Sequence, residues 1–338
     1  MPDIGFSNHT SMKCNTLPRS KYDLRSIGCC ALFLLLLISM SCQKELDREG
    51  FVSVDGGKVW YRIVGQGNGH PLLILHGGPG SRSCGMIPGL SLLADERPVI
   101  FYDQLGSGNS DRPTDTTLWN TERFVNEIDH VRNQLNLDKV HILGHSCGST
   151  FLIEYMITKK PEGVHSVIFS SPMISTPDWI RDAQILLSQM PTAIQDTITK
   201  YEALQDFSAP SYAAATDSFY ARYLSRKSWP YLPNSECENV PGFNVQVYNY
   251  MWGPTEFTAT GTLLDFDRTA DLKQIDQPVL FVTGEYDEAR PETMYKYQKL
   301  SKNASVEIIS EAAHMTMIDQ PEQLAEVISN FLRNVEKQ

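Results

Sequence analysis

Short, continuous runs of apolar residues recur along most of the chain and are separated by segments with a helical repeat. Runs of this kind predict strands that are buried on both faces of a sheet. They occupy residues 71–75, 98–102, 140–143 and 166–170. Between two of them, residues 121–135 place Phe124, Ile128, Val131 and Leu135 on one face of a predicted helix.

A predicted hairpin precedes these runs, because Asp55-Gly56-Gly57 separates two alternating segments at 51–54 and 59–64. The strand pattern returns at 278–282 and 306–309, and a helix at 321–335 closes the chain. Strands that alternate with helices at this spacing predict an α/β fold with a doubly wound, mostly parallel sheet.

The segment between the two halves of this pattern, residues 175–262, is helical, rich in aromatic residues and punctuated by proline. It predicts a helical cap inserted into the sheet domain, over the edge where the parallel strands end. We therefore divide the chain into core residues 51–174, cap residues 175–262 and core residues 263–338, with a linker at 42–50.

Residues 1–41 have the pattern of an export signal. Four Lys or Arg residues precede an apolar run at 27–40, and this run is too short to span a bilayer comfortably. Cys42 at the cleavage point resembles the lipidated cysteine of bacterial lipoproteins, although Ser39 stands where an aliphatic residue is usual. We expect a lipid-anchored protein of the cell envelope whose only membrane contact is the anchor.

Charge and cysteine content argue against two further classes of function, nucleic-acid binding and metal binding. The predicted signal carries four Lys or Arg and two Asp or Glu residues, so its removal changes the net charge from −11 to −13. This charge argues against nucleic acid as a partner. Besides Cys42, the mature chain has only Cys84, Cys147 and Cys237. Three thiols cannot form a closed disulfide framework, and no pair has zinc-type spacing, so we expect neither metal nor cofactor.

Residues 140–149 carry the strongest chemical signal. A buried strand runs into Gly144-His145-Ser146-Cys147-Gly148 and then into a helix, the arrangement of a nucleophile elbow. The turn lifts the Ser146 hydroxyl above the sheet edge, where a base can take its proton. We expect Cys147 to be a packed side chain and Ser146 to be the nucleophile.

A serine nucleophile needs a base and an orienting acid, and in this topology the chain order is serine, acid, histidine. His314 follows the penultimate strand in a strand-to-helix loop, so we predict that it is the base. Six other histidines lie in the signal, in a predicted helix, just before strands, or in the elbow strand and turn. Asp287 is predicted as the acid because it ends the preceding strand, and Glu285 and Glu288 are its alternatives.

Two backbone N–H groups are needed to bind the oxyanion of the reaction. One is expected from Cys147, directly after the nucleophile, and the other from Gly78 in the glycine-rich loop that follows residues 71–75. We expect His76 to orient this loop, and we count it with the substrate-binding residues.

Five separated motifs occur in an order that resembles the prolyl iminopeptidases, serine aminopeptidases of the α/β-hydrolase fold, including the tricorn-interacting factor type. They occupy residues 76–80, 102–110, 144–146, 284–288 and 314–317. The segment 247–261 resembles the tricorn-interacting factor type especially. The similarity covers residues 51–335.

The resemblance implies an enzyme that removes an N-terminal residue, often proline, from short peptides with a free N-terminus. Glu256 lies where the family carries a glutamate that binds the amine. A second such acid is expected from the cap, and Glu236 or Glu238 could supply it. Cys147 replaces the family's bulky aromatic residue, and Ser149 replaces its second glycine. The alternative is a hydrolase of this fold acting on another amide, an ester or a lactone. The sequence leaves the oligomeric state open.

Overall fold

The computed structural model describes residues 47–227 and 235–337. These residues contain an eight-stranded sheet with the order β1-β2-β4-β3-β5-β6-β7-β8. Its strands are β1 (Asp47–Val54), β2 (Gly57–Val64), β3 (Leu72–Leu75), β4 (Val99–Tyr102), β5 (Val140–His145), β6 (Val164–Ser170), β7 (Val279–Gly284) and β8 (Ala304–Ile309). β1 and β2 pair antiparallel with each other and β2 with β4, whereas all other pairs are parallel. The predicted α/β fold is thereby confirmed.

Ten α-helices connect or cover these strands within the described residues. They are α1 (Ile87–Leu90), α2 (Thr121–Gln134), α3 (Cys147–Thr158), α4 (Thr176–Leu187), α5 (Thr192–Leu204), α6 (Pro210–Tyr223), α7 (Val245–Met251), α8 (Pro291–Leu300), α9 (Thr316–Asp319) and α10 (Pro321–Glu336). Helices α4 to α7 lie between β6 and β7, within residues 175–262, and we call these residues the cap.

The buried strands divide their side chains between the two faces of the sheet. In β3, Leu73 and Leu75 join one apolar core, while Leu72 and Ile74 join the other. This split follows from the two-residue repeat of a strand and explains why the strand sequence is apolar throughout. Helices α2 and α3 cover the first face, and α10 covers the second. The carboxyl ends of the parallel strands are therefore held at one edge.

Strand β1 begins at Asp47, so residues 47–50 of the predicted linker 42–50 belong to the sheet. Asp47 is paired with Val64 across the ladder, and its carboxylate forms an ion pair of 2.6 Å with Arg62 of β2. The hydrophobic pattern could not place this start, because residues 47–49 are polar and exposed.

Cys84 and Cys237 form a disulfide, which the cysteine count did not lead us to expect. Cys84 belongs to the core loop after β3, and Cys237 belongs to the cap, 153 residues further along. Sequence spacing carries no information about such a pair, because only the folded chain brings the two thiols together.

Residues 235–244, which we call the strap, are also hydrogen bonded to core loops. The guanidinium groups of Arg82 and Arg112 donate to the carbonyls of Val240 and Gly242, at 2.8 and 2.9 Å. Asn244 donates from its backbone N–H to the carbonyl of Gly80 at 2.8 Å. The disulfide and these bonds fix the strap against the core.

No helix in residues 47–227 and 235–337 has the length and apolar character needed to cross a bilayer. The predicted signal at 1–41 and the predicted lipidation site Cys42 lie outside the described residues.

Candidate active site

Ser146 stands between β5 and α3 in a backbone conformation that side-chain-bearing residues rarely adopt, with φ of 53° and ψ of −127°. Backbone carbonyl groups pack so closely beneath this turn that positions 144 and 148 require glycine. A Cβ atom on Gly148 would lie 2.3 Å from the carbonyl oxygen of Leu75, and one on Gly144 would lie 2.7 Å from that of Gly148. Ser149 donates a hydrogen bond of 2.6 Å to the carbonyl of Gly144 and closes the turn. The local sequence thus produces the sharp elbow that holds Ser146.

The imidazole of His314 is bonded to the carboxylate of Asp287, with 2.9 Å between Nδ1 and Oδ1. Both side chains are buried. Asp287 also accepts hydrogen bonds from the Thr283 hydroxyl at 2.6 Å and from the backbone N–H of Ala289 at 2.8 Å. Burial alone would raise the pKa of Asp287, but the neighbouring His314 and these hydrogen bonds hold the pKa below its usual value. An ionised carboxylate at this place keeps the Nδ1 proton of His314 in position.

The two sequence-based alternatives to Asp287 do not occupy this position. Glu285 is exposed and accepts a hydrogen bond of 3.1 Å from the backbone N–H of Glu311. Glu288 is buried, but its Oε1 lies 3.8 Å from Nδ1 of His314, beyond hydrogen-bonding distance. The structure therefore pairs Asp287 with the imidazole.

Ser146 and His314 line one cavity of about 430 Å³ at the edge where the parallel strands end. The ring of His145, directly before Ser146, lies 4.8 Å from the ring of His314, measured between ring centroids. The ring of Trp179 makes an edge-to-face contact with the imidazole of His314, with 5.6 Å between the ring centroids. The structure thus brings together the three residues predicted to form a catalytic triad, from three separate parts of the sequence.

The glycine-rich loop after β3 passes directly over Ser146. A Cβ atom on Gly77 would lie 2.7 Å from Cβ of Ser146, so only glycine allows this approach. Gly78, the next residue, lines the cavity and has a φ of 113°. Cys147 is the first residue of α3, where backbone N–H groups lack helical acceptors. Cys147 directly follows Ser146 in the chain, and Gly78 directly follows the glycine that packs against Ser146.

The thiol of Cys147 is buried in the core below the elbow, and this burial raises its pKa strongly. A thiol that resists ionisation is a poor nucleophile. The side chain therefore packs against the core and does not compete with the hydroxyl of Ser146.

His76 lines the cavity, but both of its ring nitrogens are occupied by backbone groups. Its Nδ1 is 2.8 Å from the carbonyl oxygen of Gly77, and its Nε2 accepts the N–H of Gln104 at 3.0 Å. Burial lowers the pKa of the ring, which fits this neutral arrangement. The ring therefore links the glycine loop to the backbone at Gln104, and the role of His76 in substrate binding stays a prediction.

Two carboxylates, Glu256 of the cap and Glu288 of the core, line the same cavity. The hydroxyl of Tyr248 donates a hydrogen bond to Glu256. Burial raises the pKa of Glu256. It raises the pKa of Glu288 well above the ordinary value, and the charges of Glu256 and Asp287 add to this effect. Among the described residues, Oε2 of Glu288 has no hydrogen-bond partner.

Sequence reasoning had considered Glu288 only as a rival to Asp287. Its place directly after Asp287 was the available signal, since a residue at the end of a parallel strand lies at the functional edge. The candidates for the second amine-binding acid, Glu236 and Glu238, do not line the cavity. Glu236 instead forms an ion pair with Arg62 of β2.

Most of the remaining cavity wall is apolar or aromatic. It includes Tyr220, Leu224, Phe243, Pro254 and Met315. Within the part of the chain that the structure describes, no group of three His, Cys, Asp or Glu side chains is arranged to hold a metal ion. The chemistry that this arrangement offers is nucleophilic attack by a serine, close to a pair of acids.

Comparisons with known proteins agree with this geometry. Residues 70–321 match the family model of the alpha/beta hydrolase fold. A proline iminopeptidase of Heyndrickxia coagulans is 45% identical over 289 residues, which are 85% of this chain and 99% of that protein. One from Clostridium botulinum is 34% identical, covering 84% of this chain and 97% of the relative. The crystal structure of proline iminopeptidase from Mycobacterium smegmatis matches with a TM-score of 0.76 and 28% identity, over 85% and 98% of the two chains.

Proposed function

Because this chain belongs to the proline iminopeptidases, a family with the α/β-hydrolase fold, we propose that it releases N-terminal proline from short peptides. The observation that carries the proposal is the pair Glu256 and Glu288, which line an otherwise largely apolar cavity together with Ser146. An aminopeptidase must bind a protonated amine, which two buried acids can do, whereas hydrolysis of an ester or lactone does not require them.

The reaction proceeds through an acyl-enzyme in this proposal. His314 takes the proton of Ser146 as its hydroxyl oxygen attacks the carbonyl carbon of the N-terminal residue. The N–H groups of Gly78 and Cys147 bind the oxyanion that forms. The imidazolium then gives its proton to the leaving amine. Water, activated by the same imidazole, hydrolyses the ester and frees Ser146. Asp287 orients His314 and stabilises its charged form.

The acid pair suits an N-terminal proline for a specific chemical reason. A protonated proline nitrogen carries two N–H donors, and each acid can accept one of them in a charge-assisted hydrogen bond. The bound cation also removes the repulsion between the two carboxylates. The apolar wall formed by Leu224, Phe243 and Pro254 is suited to the pyrrolidine ring.

Hydrolysis of proline arylamide, compared with that of a p-nitrophenyl ester lacking an amine, tests this proposal. We expect Glu256→Gln and Glu288→Gln to lower kcat/KM for the arylamide about 10- to 100-fold, the effect of losing one charged hydrogen bond. The rate with the ester should hardly change. Ser146→Ala should abolish both activities. An enzyme that does not cleave proline arylamide, or equal losses on both substrates in the glutamine variants, would overturn the proposal.

We further propose that the chain is exported and anchored through a lipid on Cys42. The basic and apolar pattern of residues 1–41 supports export. The disulfide between Cys84 and Cys237 also supports it, since disulfides persist in oxidising compartments outside the cytosol. Expression of the full chain with Cys42→Ser should move the protein from the membrane fraction to a soluble fraction. Unchanged fractionation would rule out the anchor.

A further inference from the structure

We propose that Arg82 binds the free carboxylate at the C-terminus of a short peptide substrate, so that the enzyme prefers dipeptides and tripeptides to amidated or longer peptides. The inference rests on the proposed aminopeptidase function. It adds that the substrate ends in a free carboxylate, which the enzyme binds.

Arg82 is the only Lys or Arg residue among the described side chains that line the cavity. It lies in the same loop as Gly78, between β3 and α1, and it is partly buried. Its Nη1 donates to the carbonyl of Val240 at 2.8 Å and to that of Pro241 at 3.5 Å. The strap therefore holds the guanidinium in place at the cavity wall.

The positive charge of Arg82 is not neutralised by the acids of the site. Among the described residues, Arg82 forms no ion pair with a carboxylate within 4.0 Å, although Glu256 and Glu288 line the same cavity. A guanidinium has five N–H donors, and only Nη1 is used by the strap. The remaining donors can form the paired hydrogen bonds that arginine makes with a carboxylate.

The cavity thus holds separated charges of both signs, as does a short peptide at neutral pH. With the amine at Glu256 and Glu288 and the scissile carbonyl at Ser146, the leaving group extends along the remaining wall. Each extended residue adds about 3.3–3.6 Å, so a leaving group of one or two residues suits a cavity of about 430 Å³ better than a longer one. Arg82 lies in the cavity wall four residues after Gly78, and we place this end of the substrate at its guanidinium.

The test compares kcat/KM for prolyl-alanine with that for prolyl-alanine amide, which lacks the terminal charge. We expect the wild-type enzyme to prefer the free acid by about tenfold or more, the strength of a charged hydrogen bond. Arg82→Gln should remove this preference, and Arg82→Lys should keep part of it. Cleavage of proline arylamide, which has no carboxylate, should persist in both variants and shows that the cavity is intact.

Arg112→Gln is the matched control. Arg112 also donates to the strap, at the carbonyl of Gly242, but it is exposed and does not line the cavity. This variant should keep the preference for the free acid. If wild type and Arg82→Gln cleave proline arylamide but show equal ratios for the two dipeptides, the role of Arg82 is refuted while the peptidase function stands. If wild type cleaves no prolyl substrate, the proposed function itself fails. If Arg112→Gln also loses the preference for the free acid, that preference depends on the strap, and the role of Arg82 is refuted.

Discussion

Asp319 accepts a hydrogen bond of 2.9 Å from the backbone N–H of Ala313, the residue directly before His314. The same buried carboxylate accepts the Ser225 hydroxyl at 2.9 Å and the backbone N–H of Arg226 and Lys227, both at 3.1 Å. These last three residues follow α6 of the cap. One carboxylate therefore holds both the loop of His314, the predicted base, and the end of a cap helix.

We predict that Asp319→Asn lowers kcat for proline arylamide about fivefold or more and reduces stability by about 1–3 kcal/mol, because some of these N–H groups lose their acceptor. Asp319 acts here as a positioning residue. The measurement is kcat against KM, together with thermal unfolding and the rate of fluorophosphonate labelling at Ser146. Asp276→Asn is the control, since Asp276 forms an exposed ion pair with Lys302 and should matter little. Wild-type kcat and labelling in Asp319→Asn would refute the positioning role.

Asp287→Asn should reduce kcat about 10⁴-fold, because an amide favours the wrong tautomer of His314 and cannot stabilise the imidazolium. Burst and steady-state kinetics with proline arylamide measure this loss. Glu285→Gln serves as the comparison, since Glu285 is a neighbouring acid whose exposed carboxylate contacts only the loop at Glu311 among the described residues. A larger loss in Glu285→Gln than in Asp287→Asn would contradict the assignment.

Glu288→Gln should stabilise the protein at neutral and alkaline pH. The folded-state pKa of Glu288 lies well above its ordinary value of 4.5. Its contribution to stability is therefore complete below pH 4.5 and is lost as pH rises through the higher folded-state pKa. The variant avoids this loss, so its advantage in melting temperature should grow as pH rises above 4.5 and should level off above the folded-state pKa of Glu288. Each kcal/mol should add about 2–4 °C. Melting curves that shift in parallel at every pH would contradict this expectation.

Reduction of the Cys84–Cys237 disulfide should lower the melting temperature, because the bond closes a loop of 153 residues and restricts the unfolded chain. We expect a loss of about 2–5 kcal/mol. The double variant Cys84→Ser, Cys237→Ser should melt at the lower temperature and respond no further to reductant. Wild type that melts identically with and without reductant would show that the bond contributes nothing to stability.

The sequence predicted the fold well because its main features leave local patterns. Runs such as residues 72–75 are apolar at every position only when both faces of the sheet are covered, and the elbow combines a strand, two close glycines and a helix. The order of motifs along the chain then placed Ser146, Asp287 and His314 at one edge, since parallel strands end together.

The features that the sequence did not reveal depend on the meeting of distant segments. The disulfide joins residues 84 and 237, and neither neighbourhood shows a pairing signal. From the sequence, Glu288 is only an alternative to Asp287 as the orienting acid. Its partner in the cavity, Glu256, comes from the cap, and no local pattern joins these two residues. The sequence predicts that His76 orients the glycine loop, but the backbone partners of its ring, at Gly77 and Gln104, become visible only in three dimensions.

The position of Cys237 in the cavity wall has a practical consequence for how the protein is produced. Material made in the cytosol of an expression host would carry Cys237 in reduced form in the same cavity as Ser146. We expect alkylating reagents then to modify the cavity and block turnover, although the proposed mechanism uses no cysteine. Material recovered after secretion should resist the same reagents. Sensitivity to them therefore indicates whether the disulfide has formed, and not that a cysteine acts in catalysis.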